Sequence, residues 1–556
     1  MMSLFVQIAK AFSKRERLLS LGAAVVLVVS GILLTMAVVN QNTNIVPDDG
    51  GSYTEGVVGQ PSFINPLFTD ASTPDADLTR LLFASAVDMA ESIKHSDDFK
   101  TWNLRIKDGA VWHDGTPITS DDIIFTVNTI RNTNVLSPLF PEWQNVQPSR
   151  ISEREVEFDL AAPYSMFENI LAGLRPVPKK LFADLSPAHL KLSPYMLEPV
   201  GSGPFMYDYL KKRRDGFITA YNLKANKEYG AMGPVPHIKN FAVNFYENND
   251  NLINAYNLGL VDGFGTLNQT FLDGIKLNST TLSLPTSKYY ALFFNQNANP
   301  SLVSKNVRLA LSKAIDKKDL IQKIFKGEAF AEYGPIPSSL PSYNPTVESL
   351  IRYDTEEAKT LIAQDGWQLN PETNAWEKKD KNKTIQLSVT IKFPNDYPLN
   401  EIAQYIKDAW NSINVKTSIS PVDAQHIEDE AIRTRDYEVL LFANIVFPTP
   451  DPYSFWHSSQ KFYPGINLSL YDNSLADQII ESVRKIEVGS DKRKAQIDQL
   501  QELIADDVPA VFLASPDYFY IHKHNISGIN IGTVSLPESR FDQVTGWYVK
   551  TKRIFK

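Results

Sequence analysis

Side chains that could support chemistry are few and widely separated in this sequence. The eight histidines are His95, His113, His189, His237, His426, His457, His522 and His524. Only His522 and His524 lie close together, and on a strand they would share a face because side chains alternate. No third ligand has the spacing of a metal site, and the chain has no cysteine. We therefore predict no metal and no cofactor.

Motifs for catalysis are also weak. His113 precedes Asp114 in the segment WHDG, but an Asp–Gly pair favours a tight turn. Gly201-Ser202-Gly203 lacks the strand-to-helix context of a nucleophile and the lysine of a phosphate-binding loop. The spacing of the two carboxylates needed for glycoside hydrolysis depends on the fold. The sequence, with 64 acidic residues, therefore does not identify such a pair. We predict that the chain is not an enzyme, with an anchored extracellular hydrolase as the alternative from another class.

The clearest candidate for a ligand-binding segment is rich in aromatic residues. The run from Leu440 to Trp456, LLFANIVFPTPDPYSFW, begins as a buried strand and breaks into a proline-rich loop with four aromatic residues. Loops held by a rigid strand commonly carry binding groups, and aromatic walls suit a pocket for a small molecule.

Local signals predict the elements that position these groups. TWNLRI from Thr101 alternates like a strand, and Thr119 with Asp122 resembles the capping box of a following helix. Apolar stripes predict helices within Ser304–Gly327, and Asp354 is a candidate N-cap for a helix ending near Gly366. Further helices are predicted over 401–413, 474–488 and 490–506.

Length and charge limit the possible classes of protein. A chain of 556 residues exceeds what one core supports, so at least two lobes with a cleft between them are expected. The net charge of −9 gives no reason to bind nucleic acid.

The N-terminal segment predicts the location of the chain. Leu18 to Val39 is an uncharged run of about 22 residues, enough for one helix to cross a bilayer. Basic residues precede it, so residues 1–17 should stay in the cytoplasm and the bulk should lie outside. Residues 40–50 are predicted to be a short flexible linker. A cleaved signal peptide is the alternative, but the run is longer than such peptides carry.

Several segments resemble one family. They are GVVGQPSFINPLF from Gly56, WNLRIKDGAVWHDGTPITSDDIIFT from Trp102, PVGSGPF from Pro199, NVRLALSKAIDKKDLIQKIFKGEAFAEYGPIP from Asn306, YDTEEAKTLIAQDGW from Tyr353, DPYSFWHSS from Asp451 and GINLSLYDN from Gly465. Together they are similar to the bacterial extracellular solute-binding proteins of the peptide and nickel class, family 5, which serve ABC importers.

The resemblance implies an α/β, two-lobed fold of the periplasmic-binding-protein type, with a hinge and an extra subdomain on the first lobe. Lobe I would be 51–284 with a C-terminal return over 515–556, and lobe II would be 285–514. It also implies capture of an oligopeptide between the lobes by a membrane-anchored, monomeric exterior domain, with an ABC permease and ATPase as partners. By placement, the ligand-binding residues are expected to be Asn65, Asn444, Phe447, Asp451, Trp456 and Phe512.

One departure from the family's pattern keeps the ligand open. In peptide-binding relatives an acidic residue shortly before the Asp–Pro dipeptide pairs with the ligand's α-amino group, whereas here 446–449 reads VFPT. Either another carboxylate such as Asp451 serves, or the ligand is a different solute, such as a sugar oligomer, an opine-like compound or a chelated metal. A sensory ectodomain that delivers nothing is a further alternative.

Overall fold

The computed structural model describes residues 13–69, 73–380 and 383–556. Residues 1–12, with Lys10 of the predicted cytoplasmic N-terminus, lie outside the described residues. The α-helices, numbered α1 to α16 in chain order, are Lys14–Asn42, Thr73–Leu82, Ala86–Met89, Ser120–Arg131, Phe140–Trp143, Phe167–Gly173, Lys179–Phe182, Pro187–Leu190, Asn249–Asn257, Lys305–Lys313, Lys317–Phe325, Thr355–Gln364, Leu399–Ser412, Tyr453–Trp456, Ser474–Val483 and Asp491–Asp507.

The strands are numbered β1 to β21 in chain order. They are Thr43–Asp48, Ser52–Val58, Ala90–His95, Thr101–Ile106, Val146–Ser152, Glu155–Leu160, Phe205–Lys212, Ile218–Ala225, Asn240–Tyr246, Gly263–Thr266, Ser279–Pro285, Lys288–Phe294, Ala329–Ala331, Gln368–Asn370, Ala375–Asp380, Lys383–Gln386, Ser388–Pro394, Lys416–Val422, Val439–Ile445, Ala510–Lys523 and Lys550–Phe555.

One mixed sheet runs through the whole body, in the order β18-β17-β19-β12-β20-β10-β2-β9-β8-β7. It is covered by separate hydrophobic cores. The largest is built from residues between 53 and 284 together with residues between 518 and 547. Two others, on the remaining strands, are built only from residues between 289 and 514. Because apolar side chains bury themselves within each half, the sheet carries two lobes that share strand β20.

Each lobe also contains a smaller, separate sheet. An antiparallel sheet in the order β3-β4-β6-β5 packs within the first lobe, and β14-β15-β16 forms a small sheet in the second. Helix α4 begins as the sequence predicts, since the Asp122 carboxylate accepts the backbone N–H of Thr119 at 2.9 Å. The helix over 355–364 is likewise capped by Asp354, whose Oδ1 accepts the N–H of Glu357 at 2.8 Å.

The N-terminal helix and the segment after it differ from the body. Helix α1 is long and apolar enough to cross a membrane, and it has no buried residue. Residues 43–48, predicted as part of a flexible linker, instead form strand β1, which pairs antiparallel with β21 near the C-terminus. The linker prediction misses this because the partner strand lies about 500 residues away and no local signal announces the pairing.

Candidate functional site

The chain crosses between the lobes at two adjacent places. The first half of β20 pairs with β12, from Phe293 opposite Ala510 to Tyr290 opposite Ala514. Its second half pairs with β11, from Pro285 opposite Asp517 onward. The other crossing is the short link between β11 and β12. Two neighbouring extended crossings of this kind allow one lobe to swing against the other.

Polar groups surround these crossings. The Thr286 hydroxyl donates to the carbonyl oxygen of Pro516 at 2.6 Å, and the Ser283 hydroxyl donates to the Asp517 carboxylate at 2.6 Å. Burial raises the pKa of Asp517, and the hydrogen bond from Ser283 opposes the rise. These bonds hold the two crossings side by side.

Ser287, in the link between β11 and β12, has an incomplete set of hydrogen-bond partners. Its backbone oxygen accepts the N–H of Val446 at 3.0 Å. Its side chain is fully buried, yet the hydroxyl has no hydrogen-bond partner among the residues that the structure describes. A buried polar group of this kind costs about 1–3 kcal/mol unless a ligand or water satisfies it. Ser287 is therefore a candidate contact that sequence reasoning missed, because a single serine carries no motif.

Three of the predicted binding residues meet in the second lobe, around Tyr289. The Asn444 amide donates to the Tyr289 hydroxyl at 3.1 Å. The ring of Tyr289 lies 5.4 Å from that of Phe512, which lies 5.8 Å from that of Trp456. All four side chains are buried, and burial raises the pKa of Tyr289. The cluster stands where β12, β19 and β20 approach the crossings.

The remaining predicted residues are placed apart from this cluster. Asn65 is buried in the first lobe, where its side-chain oxygen accepts the N–H of Leu67 at 3.0 Å within its own turn. Phe447 follows β19 and is 53% exposed. Asp451 lies at a contact between the lobes.

Asp451 pairs with a cation from its own lobe. The Arg484 Nε lies 3.2 Å from an Asp451 oxygen, and the Asp451 carboxylate also accepts the N–H of Tyr453 at 3.1 Å. The Arg484 guanidinium stands 4.4 Å from the Tyr453 ring centre and 4.6 Å from that of Tyr164. Because a cation is attracted to an aromatic face, Arg484 holds together groups of both lobes.

Backbone and sulfur contacts extend this contact between the lobes. The Ser165 N–H of the first lobe donates to the Arg484 carbonyl oxygen at 2.8 Å. A guanidinium nitrogen of Arg493 lies 2.8 Å from the Met166 sulfur and donates to the Pro450 carbonyl oxygen at 2.8 Å. Burial raises the pKa of Tyr164, and the nearby Asp451 charge adds to the rise. The lobes thus touch at a second place besides the strand crossings.

The residues that resembled catalytic motifs have structural partners. The His113 ring accepts the Gly201 N–H at 3.1 Å, and its other nitrogen lies 3.1 Å from the Gly203 carbonyl oxygen. Burial lowers the pKa of His113 to about 4, so the ring is neutral. A side chain at Gly201 would collide with the backbone oxygen of Leu82. WHDG and GSGPF therefore lock two loops together rather than forming a reactive site.

The paired histidines do not assemble a metal site. The His522 ring bonds to the Lys523 carbonyl oxygen at 2.9 Å, and the His524 ring to the Thr280 hydroxyl at 2.8 Å. Within 13–69, 73–380 and 383–556, no group of three or more potential ligands could hold a metal ion.

Comparison with known families decides the class of protein. The profile described as "Bacterial extracellular solute-binding proteins, family 5 Middle" matches residues 86–463. The chain belongs to this family. Since these proteins bind solutes without chemical conversion, the chain is a binding protein and not an enzyme. The family resemblance inferred from the sequence is confirmed.

Individual relatives agree with this assignment. The chain is 24% identical over 501 residues to the oligopeptide-binding protein AppA of Bacillus subtilis, covering 87% of this chain and 89% of that protein. The structure of that AppA with a nonapeptide has a TM-score of 0.70 at 21% identity, covering 91% and 100% of the two chains. NikZ of Campylobacter jejuni, solved with Ni(L-His), has a TM-score of 0.71 at 20% identity, covering 90% and 100%. The predicted two-lobed α/β fold is confirmed.

Proposed function

We propose that this family 5 protein captures oligopeptides in the cleft between its lobes and passes them to an ABC permease, while helix α1 anchors it to the outer face of the cell membrane. The observation that carries the proposal is the junction itself, where the aromatic cluster around Tyr289 meets the two strand crossings and the buried Ser287 hydroxyl has no hydrogen-bond partner among the described residues. AppA, a relative matched over most of its length, is named as an oligopeptide-binding protein.

In the proposed mechanism the two lobes close over the ligand and do not convert it chemically. A ligand shifts the balance between open and closed forms only by binding one of them more tightly. A peptide lying along the strand crossings would bond to both lobes only when they approach each other. The contact of Arg484 with Tyr164 would then form as part of the same motion and stabilise the closed form.

Main-chain groups of the ligand would supply much of the affinity. Extended peptides commonly bind through backbone hydrogen bonds, which tolerate many side chains. We assign Ser287 to one such bond, because its buried hydroxyl has no hydrogen-bond partner within the part of the chain that the structure describes. The predicted residues Asn65, Asn444, Phe447, Asp451, Trp456 and Phe512 remain our proposal for the surrounding walls.

The ligand's α-amino group would need an acidic partner in the cleft. None of residues 446–449 is acidic. Asp451 carries a carboxylate nearby, but Arg484 already pairs with it at 3.2 Å. An ammonium group would have to compete with that guanidinium. We therefore propose that the ligand is held along its chain, and that Asp451 acts mainly through Arg484.

A non-peptide solute is the second candidate function. The absence of an acidic residue from 446–449 favours it, because a buried ammonium without a partner would cost several kcal/mol. NikZ, which has the same fold, was solved with Ni(L-His), so this architecture also holds ligands that are not oligopeptides.

Selection from a mixed peptide library tests the proposal. The purified full chain would be incubated with the library, washed, and the retained molecules identified by mass spectrometry. We expect peptides of varied side chains but restricted length. Recovery of no peptide, together with a non-peptide solute carried through purification, would establish the second candidate instead.

Ser287→Ala provides a matched variant for this selection. It should lower peptide retention while leaving the free energy of unfolding unchanged or slightly higher, since the lost hydroxyl has no partner among the described residues. Ser312→Ala is the control, because Ser312 is also buried in the second lobe and its hydroxyl likewise has no partner among the residues described. Equal retention by both variants would remove Ser287 from the site.

A further inference from the structure

The β1–β21 ribbon begins where the anchor helix ends. Helix α1 closes at Asn42 and β1 starts at Thr43, with no residue between them. The Lys556 N–H donates to the Asn42 carbonyl oxygen at 2.9 Å, and the Arg553 guanidinium donates to the Thr43 hydroxyl at 3.2 Å. The two strands are therefore joined to the helix end on both sides, and the ribbon cannot lie far from the bilayer that the helix would enter.

The depth of the ribbon follows from the helix. The uncharged run ends at Val39, and Thr43 lies four residues further, which is about 6 Å along a helix axis. Thr43 pairs directly with Phe555, and Asn44 with Ile554. The end of the ribbon that carries these residues is thus placed within the headgroup layer, which extends roughly 5–8 Å beyond each face of the hydrocarbon core.

The residues at this end have the character of a membrane interface. Phe555 is 82% exposed and Ile554 45% exposed. Strand β21 and the residue after it, KTKRIFK, carry the basic side chains Lys550, Lys552, Arg553 and Lys556. Of these four, Lys552 alone forms an ion pair within 13–69, 73–380 and 383–556, at 3.1 Å from Asp48 of β1. Exposed apolar side chains beside basic ones suit a surface of phospholipid headgroups and upper acyl chains.

A groove connects the ribbon with the helix. It has a volume of about 710 Å³ and is lined by Arg553 of the ribbon and by one face of the helix, which is mostly apolar: Val28, Gly31, Ile32, Thr35, Met36, Val39 and Asn40. An apolar wall with one guanidinium beside its polar end matches the shape and charge of a phospholipid, whose acyl chain would follow the helix and whose phosphate would meet Arg553.

We infer that the ribbon is a lipid-binding element: its tip, formed by Arg553, Ile554, Phe555 and Lys556, inserts into the outer headgroup layer and binds anionic phospholipid against α1. This inference rests on the proposed anchoring by α1. Both strands of the ribbon lead into the first lobe. That lobe is held at the membrane by two chain segments, and the second lobe is the one that moves.

A single fluorescent label tests the insertion, and the absence of cysteine from the chain makes labelling specific. Full-length protein carrying Phe555→Cys with an environment-sensitive dye would be reconstituted into vesicles of phosphatidylcholine with phosphatidylglycerol. We expect emission at shorter wavelength than from Glu372→Cys, an exposed residue of the second lobe. We also expect stronger quenching by lipids spin-labelled near the headgroup than by lipids labelled at the acyl end. Lys556→Cys, which keeps Phe555, serves as a second labelled position.

The contribution of the basic residues is tested by changing the charge of the lipid and of the ribbon. In phosphatidylcholine alone the shift from the label should be smaller, and Arg553→Gln with Lys556→Gln should remove the added effect of phosphatidylglycerol. Flotation of the vesicles after an alkaline wash reports separately on anchoring. If the chain fails to float, the proposed anchoring fails. If it floats while the dye at both positions emits as in water and escapes quenching, the anchor stands and the lipid-binding ribbon is overturned. An effect independent of lipid charge would overturn the assignment of Arg553 to an anionic headgroup.

Discussion

Two arginines show how differently the chain uses buried charge inside a lobe and between lobes. Arg540 is 2% exposed and bonds to Glu55 at 2.8 Å and to both oxygens of Asp77 at 2.6 and 2.7 Å, all within the first lobe. Arg484 is 31% exposed, and it links Asp451 of its own lobe to Tyr164 of the other. The first arrangement is fully buried, so it contributes to the stability of the lobe itself. The second is partly exposed to solvent, which suits a contact that forms and breaks during the proposed closure.

Arg540→Met should produce the largest loss of stability. Removing one partner of a buried ion cluster leaves uncompensated charge, here on Glu55 and Asp77, and costs about 3–5 kcal/mol. Chemical denaturation of wild type and variant would measure it. Arg213→Met is the control, because Arg213 pairs with Asp215 and Glu247 on the exposed surface, and no measurable change is expected. Equal losses from the two variants would contradict the distinction between interior and surface clusters.

Acid should weaken the first lobe through His113. Its pKa is about 4 in the folded chain against an ordinary 6.5, because burial disfavours the charged ring. Stability from the neutral ring is therefore complete above pH 6.5 and is lost as the pH falls towards 4. The loss should be a few kcal/mol, because each pKa unit between the unfolded and folded values corresponds to about 1.4 kcal/mol. His113→Gln should flatten this part of the pH dependence of unfolding. An unchanged slope in the variant would show that other groups cause it.

Breaking the ion pair between Asp451 and Arg484 should weaken ligand binding rather than folding. Asp451→Asn and Arg484→Met should each weaken retention of a library-selected peptide about fivefold, since a partly exposed pair contributes up to about 1 kcal/mol. The double variant should lose no more than either single one, because both remove one contact. Titration calorimetry would measure all three. A loss above about a hundredfold from Asp451→Asn alone would instead identify Asp451 as a direct partner of the ligand's ammonium group.

Phe447 should show the smallest effect on stability. Its side chain is 53% exposed, so Phe447→Ala should change the free energy of unfolding by less than about 0.5 kcal/mol. If Phe447 forms a wall of the cleft, peptide retention should still fall. Phe462→Ala is a matched control, since Phe462 is exposed to 65% in the same lobe. Unchanged retention by both would exclude Phe447 from the site.

Elements governed by neighbouring residues could be predicted from the sequence. The strand at Thr101–Ile106 and the helices capped by Asp122 and Asp354 lie where local patterns place them, because a cap and its partner are only three residues apart. The helical stripes within 304–327 are also confirmed, as Lys305–Lys313 and Lys317–Phe325.

Contacts between distant segments could not be predicted in the same way. Tyr164 and Arg484 meet only because the lobes fold against each other, and nothing in either segment encodes the partner. The sequence of strand β1 predicts a linker, because its pairing with the distant β21 leaves no local signal. For the same reason the sequence offers Asp451 as a carboxylate for the ligand's α-amino group but does not indicate that Arg484 pairs with it.

The central claim is that the two lobes close around a solute, and the distance between them tests it most directly. Full-length protein labelled at Ser149→Cys in the first lobe and Glu372→Cys in the second would be studied by single-molecule energy transfer in lipid nanodiscs. We expect a broad distribution of distances without ligand and a narrower one at shorter distance when the selected peptide is added. An identical distribution in both conditions, with the peptide shown to be bound, would contradict the account.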